Sequence, residues 1–252
     1  MTKVFVHGNP ETSAVWDDLI AEIHERGVTD TVLLSPPGFG APVPAGWGAT
    51  QDEYREWLIG ELRRVAATGS PIDLVSHDWG AGHAFGALAR EPGLVRTWAS
   101  DCMGLVHRDY VWHDMAQAWQ TPDVGETVVQ LLTGSEPAQF ADMMEPLGMR
   151  RGIAEKVSAA LDGETARCIL ALYRSAAQPA MAELGARFVS ASPSNGLVIL
   201  AENDHYAGPA SAHREVAGAV GAAVAEIKGA GHWWMIEKPA VAADILVAHW
   251  NR

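Results

Sequence analysis

The chain is short of several things, and each shortage excludes a class of protein. Two cysteines, Cys102 and Cys168, in 252 residues are too few for a disulfide scaffold and stand at no metal-ligand spacing. A reducing compartment fits. Positive charge is scarce: 18 Lys plus Arg against 31 Asp plus Glu leave a net charge of −13. No basic face is on offer to neutralise phosphates or to settle on anionic lipid, so neither nucleic acid nor a membrane surface is an expected partner. No apolar run approaches the ~18 residues of a membrane span. The opening stretch Met1-Thr2-Lys3-Val4-Phe5-Val6 is shorter than a signal-peptide core, so a cytoplasmic location is expected. Internal repeats and low-complexity linkers are also missing, which leaves one ordinary domain.

What is present is a normal globular composition, 48% hydrophobic and 19% charged, with an unusual ten tryptophans. Aromatic planes in that number suit a lined cavity or plain core filling, and composition does not choose between them. Short β-branched runs alternate with longer amphipathic stretches, the pattern of βα units building a parallel sheet. Strands are expected at Lys3–Val6, Thr31–Ser35, Ile72–Ser76, Thr97–Met103, Gly196–Ala201 and Val224–Lys228. Helices are expected at Ser13–Arg26, Gln51–Ala66, Gly80–Arg90, Gly208–Val220 and Pro239–Trp250.

The alternation fails once, between Gly104 and Pro193, where Val124–Leu132, Pro137–Leu147, Ile153–Leu161 and Thr165–Ala177 read as helices between Gly and Pro turns. The faces of such a sheet are already covered by helices. An all-helical insertion after the fourth strand is therefore expected over the carboxyl ends of the strands, as a lid. The expected division is a core of residues 1–103 and 196–252 with a lid over 104–195.

The stretch Ile72-Asp73-Leu74-Val75-Ser76-His77-Asp78-Trp79-Gly80-Ala81-Gly82 runs from an apolar strand through a small-X-acid-X-Gly turn into a helix. That is the form of a nucleophile elbow. Small residues at Ser76 and Gly80 leave room for a strained turn that pushes Asp78 out above the sheet. There the amino end of the next helix favours its ionised form. A carboxylate with an ordinary pKa of ~3.9 is already charged at neutral pH and needs no base to attack carbon.

Three motifs, His7-Gly8-Asn9-Pro10, His77-Asp78-Trp79-Gly80 and Gly229-Ala230-Gly231-His232, stand in order across nearly the whole chain. Together they resemble the α/β-hydrolase family, and within it the haloalkane dehalogenases and epoxide hydrolases, which share an aspartate nucleophile. The resemblance implies a mostly parallel six-stranded sheet, lacking the family's two amino-terminal strands, under a helical lid. It also implies a triad: Asp78 as nucleophile, His232 as the base that activates water, and Asp204 as the acid that orients the imidazole. Asp101 is the rival for that last role, because some dehalogenases place their acid after the fourth strand. Backbone N–H groups of Asn9 and Trp79 would form an oxyanion hole. No cofactor is implied, only a small-molecule substrate and water.

The resemblance divides over substrate. In haloalkane dehalogenases the Asn of the first motif and the Trp after the nucleophile donate side-chain N–H groups to the departing halide, roles open to Asn9 and Trp79. Trp112, if it faces the pocket, would add an indole donor. Epoxide hydrolases instead use lid tyrosines as proton donors, for which Tyr173 and Tyr110 are the candidates. An ester or lactone hydrolase and a non-catalytic small-molecule-binding protein of this fold are the remaining alternatives. Trp233 is expected near the reaction centre. His7 and His77 read as structural neighbours of the motifs and Cys102 as core. The group His107, Asp109, His113 and Asp114 fits an acidic lid entrance better than a metal site.

Overall fold

A computed structural model describes all 252 residues. Six strands, β1 (Thr2–Val6), β2 (Thr31–Leu34), β3 (Ile72–Ser76), β4 (Thr97–Ser100), β5 (Gly196–Ala201) and β6 (Ala223–Ile227), form one sheet in the order β2-β1-β3-β4-β5-β6. Every neighbouring pair is parallel. Alternate residues along each strand face opposite sides. Accordingly Val4, Val6, Leu74 and Val198 enter one apolar core, while Phe5, Val75, Leu197 and Ile199 enter a second core across the sheet.

The helices before the insertion are α1 (Asp17–Glu25), α2 (Gln51–Ala66) and α3 (Trp79–Arg90). A short 3-10 turn at Ser13–Trp16 precedes α1, so the single helix expected there is divided. Thr50 opens α2 with a capping box to Glu53. β4 stops three residues before the expected end, because Cys102 turns the chain at φ 49° into a 3-10 segment at Met103–Val106.

The insertion holds six α-helices where four were expected: α4 (Asp114–Gln120), α5 (Val124–Thr133), α6 (Pro137–Met144), α7 (Arg151–Ser158), α8 (Gly163–Ser175) and α9 (Ala180–Ala191). α9 was not expected, and it does not behave as a lid helix. Met181, Leu184 and Phe188 are buried, and the Phe188 ring lies 5.0 Å from Phe85 of α3 and 5.6 Å from Trp98 of β4. It is the crossover helix that two adjacent parallel strands, β4 and β5, require. α9 thus packs on α3 and β4, within the stretch expected as lid. After β5 come α10 (Ala210–Ala219), β6, a short α11 (Trp234–Glu237) and α12 (Pro239–Trp250). No helix is long and apolar enough to cross a membrane.

Candidate active site

The turn between β3 and α3 holds Asp78 at φ 51°, ψ −122°, a conformation that costs an L-residue strain energy. Glycines make it sterically possible. A Cβ on Gly80 would lie 2.4 Å from the Val6 carbonyl oxygen, and one on Gly8 would lie 2.1 Å from Asp78 Oδ1. The Asn9 backbone N–H donates to Asp78 Oδ1 at 2.8 Å, and Asp101 Oδ1 accepts the Asp78 N–H at 3.0 Å.

The other Asp78 oxygen, Oδ2, faces His232 Nε2 at 3.7 Å. His232 Nδ1 meets Asp204 Oδ2 at 2.9 Å, and Asp204 Oδ1 accepts the Tyr206 N–H at 2.9 Å. Three loops, after β3, β5 and β6, thus bring Asp78, Asp204 and His232 together. Asp101 does not reach His232; its Oδ2 takes His77 Nδ1 and the Trp234 indole N–H. Burial raises Asp78 to about 6 against the pull of the His232 charge. Burial would lower His232, but the charge and hydrogen bond of Asp204 outweigh it and raise the imidazole to about 9. Burial likewise opposes ionisation of Asp204, yet His232 holds its carboxyl well below the usual range.

Asp78 and His232 open onto a cavity of about 150 Å³. An apolar cavity of about that volume takes a guest the size of benzene. Met115, Leu132, Met144 and Leu147 supply apolar wall from the insertion, and Trp233 of the loop after β6 also lines it. The cavity shares His113, Met115, Leu147, Tyr206 and His232 with an outer vestibule of about 760 Å³, whose rim carries Asp114 and Glu145.

Among the expected substrate contacts, Asn9 and Tyr173 line the cavity. Asn9 is 5% exposed, and its Nδ2 and Oδ1 are buried without a well-formed hydrogen bond. The Tyr173 hydroxyl stands close to the Asn9 and Trp79 side chains; burial first, then the Asp78 charge, pushes its pKa well up. The Trp79 ring is edge-on to Tyr173 at 5.2 Å. Three of the expected contacts are not among the lining residues. Trp79 is buried against Tyr173 rather than in the cavity wall, and Trp112 stacks on Trp79 at 5.7 Å. Tyr110 also lies outside, because its hydroxyl donates to the Tyr206 carbonyl at 2.8 Å.

Trp119, Tyr206 and His113 line the cavity without having been singled out for it. The Trp119 indole N–H is buried and unpartnered, with its ring 4.8 Å from Tyr173. The tryptophan surplus hinted at such a residue, but α4 was not expected and nothing distinguished Trp119 from core. Glu11, His77 and His232, and likewise Cys102, Asp204 and His232, approach metal-ligand spacing. In both groups carboxylates and ring nitrogens already pair with one another. The surface group disperses instead: His107 pairs with Glu215 at 3.4 Å, and His113 Nδ1 caps α4 by accepting the Ala116 N–H.

Residues 4–245 match a family profile described as "Alpha/beta hydrolase family". Two curated proteins named "Haloalkane dehalogenase" are similar to the chain. One, from Mesorhizobium japonicum, is 26% identical over 61% of this chain and 49% of its own length. The other, from Mycolicibacterium smegmatis, is 28% identical over 56% of this chain and 42% of its own length. The matched region thus spans about half of each curated relative. A loop variant of haloalkane dehalogenase DbeA from Bradyrhizobium elkanii superposes with a TM-score of 0.72 at 19% identity, covering 99% of this chain and 90% of that one. At that identity the likeness is one of fold.

Proposed function

Because the chain belongs to the α/β-hydrolase family, the chemistry is to be sought at its elbow, and we propose that it cleaves the carbon–halogen bond of a small, largely apolar molecule through an aspartyl ester. The observation that carries this reading is the buried Asn9 side-chain amide in the cavity wall beside Asp78, which has no well-formed hydrogen bond. An unsatisfied buried donor costs stability, about 1–3 kcal/mol, unless something binds there. An acceptor arriving with the substrate, such as a departing halide, answers that cost. The likeness to two dehalogenases supports the same assignment.

In the proposed reaction Asp78 Oδ2 attacks the sp³ carbon, the carbon–halogen bond breaks, and the halide leaves with the bonding pair toward Asn9 and Trp79. Trp119 supplies a further indole donor from the lid. An alkyl ester remains on Asp78, with its carbonyl oxygen Oδ1 held by the Asn9 N–H. Esterification removes one of the anions that keep His232 protonated, so the imidazole gives up its proton and becomes a base when water must be activated. Hydroxide adds to Cγ, the tetrahedral adduct expels the alcohol, and one proton leaves to solvent with the halide. Asp204 holds His232 in the required orientation throughout.

A second reading, opening of an epoxide by the same aspartate, is supported by the Tyr173 hydroxyl near Asp78. It lacks a committed partner donor, since Tyr110 is bonded to the Tyr206 carbonyl. The test is product analysis with 1-bromobutane and 1,2-epoxybutane. The dehalogenase reading expects bromide release by the wild-type protein, lost in Asp78→Ala. Diol formation from the epoxide with no bromide release would overturn it in favour of the second reading.

A further inference from the structure

His77, immediately ahead of Asp78, takes no part in the reaction above, yet it is fully buried with both ring nitrogens engaged. Nδ1 meets Asp101 Oδ2, and Nε2 meets Glu11 Oε1 at 3.0 Å. The hydrogens around it can be counted. Asp101 Oδ1 accepts the Asp78 N–H at 3.0 Å, and Oδ2 also accepts the Trp234 indole N–H at 2.6 Å. Glu11 Oε1 also accepts the Trp233 indole N–H at 2.6 Å, and Oε2 accepts the Gly8 N–H at 3.0 Å. Backbone amides and indoles only donate. Every carboxylate oxygen is therefore already an acceptor, two of them at the short distances typical of ionised groups. This arrangement favours placing both hydrogens of the triplet on His77, as an imidazolium flanked by two carboxylates.

That ring stands 4.6 Å from the His232 ring, tilted by 50°. We propose that His77 is a positioning residue whose fixed positive charge drives His232 into its neutral, basic form once Asp78 is esterified. The inference rests on the aspartyl-ester reading. It also gives the loops after β1, β3 and β6 a shared anchor: Glu11 ties down Gly8 and Trp233, and Asp101 ties down Asp78 and Trp234.

His232 sees Asp204 on Nδ1, Asp78 across Nε2, His77 beside it, Glu11 beyond, His113 from the lid, the Tyr206 ring at 5.0 Å and the Cys102 thiol, which also lies by His77 and which burial keeps neutral. Burial lowers His113 to about 4, leaving it uncharged at neutral pH. His77 sees Asp101 and Glu11 directly, and also His7, which burial lowers to about 4 and leaves neutral. Against Asp204 and Asp78, His77 is the cation that opposes protonation of His232. Once the ester forms, Asp78 no longer offsets it.

The test is the His77→Gln variant with 1-bromobutane, in rapid-quench experiments read by intact mass, so that ester formation and ester hydrolysis are timed separately. Loss of a cation this close is expected to move the pH midpoint of ester hydrolysis upward by about one unit. Hydrolysis at neutral pH then slows by about tenfold, recovering in more alkaline solution. An unchanged midpoint would overturn the proposal and leave His77 a purely structural group. Imidazole ¹⁵N shifts of the wild-type protein supply a measurement that needs neither substrate nor variant. They are expected to report His77 doubly protonated from about pH 6 to 9, and a neutral ring at neutral pH would overturn the proposal. Failure to form any ester in either protein would instead strike at the role of Asp78, with the ¹⁵N result still deciding the state of His77.

Discussion

Asp78 has the placement that the proposed nucleophile needs: glycines on both sides of it admit the strained turn, and one backbone N–H turns its two oxygens into unlike atoms. Oδ1 is held by Asn9 while Oδ2 faces His232 and the cavity. Its titration gives a prediction with a definite sign. Burial raises its pKa to about 6, so the attacking form is lost as pH falls through that value. Single-turnover ester formation is expected to be flat at neutral pH and to drop about tenfold per unit below pH 6. A rate that stays level down to pH 4.5 would contradict the assignment of Asp78 as the ionised attacker. The residue scale also shows what the motifs left open. Both Asp204 and Asp101 follow strands that end at the site, and only the hydrogen bonds distinguish the acid that touches His232 from the one that touches His77.

At the scale of elements, the end of the sheet opposite the site is held by a buried ionic cluster. Asp73 of β3 accepts from Lys3 of β1 at 2.5 Å, Arg96 at 2.8 Å and Thr97 of β4 at 2.7 Å. Removing one member of a buried pair strands the other, so Asp73→Ala is expected to cost about 3–5 kcal/mol in urea unfolding. Bromide release should be retained wherever the variant is folded. A change under about 1 kcal/mol would contradict the view that Lys3 depends on this carboxylate. The strands were legible because β-branched runs bounded by polar turns leave few alternatives, and β3 and β5 begin and end where expected. The insertion was less legible. α4 starts on a histidine cap, which is not a usual start signal, and α9 carries its buried Met181, Leu184 and Phe188 at helical spacing inside a stretch taken for lid.

At the scale of the whole molecule, residues 69 positions apart (Asn9 and Asp78) and 28 apart (Asp204 and His232) meet because parallel strands deliver their carboxyl ends to one edge. Motif order made that convergence readable in advance. The cavity wall was not, since Met115, Trp119, Leu132 and Met144 come from helices whose docking depends on tertiary packing and leaves no local signature. The cavity's small volume and apolar wall fit the compact substrate proposed above, and five of its lining residues are shared with the wider vestibule that carries Asp114 and Glu145. The central claim is that Asp78 carries the substrate as an ester that His232 is needed to release. It is tested most directly by the intact mass of His232→Ala after exposure to 1-bromobutane, with peptide mapping of the adduct. The expected result is the added mass of one butyl group, located on Asp78 and persistent; an unmodified protein, or an adduct mapped to any other residue, would contradict an aspartyl-ester route.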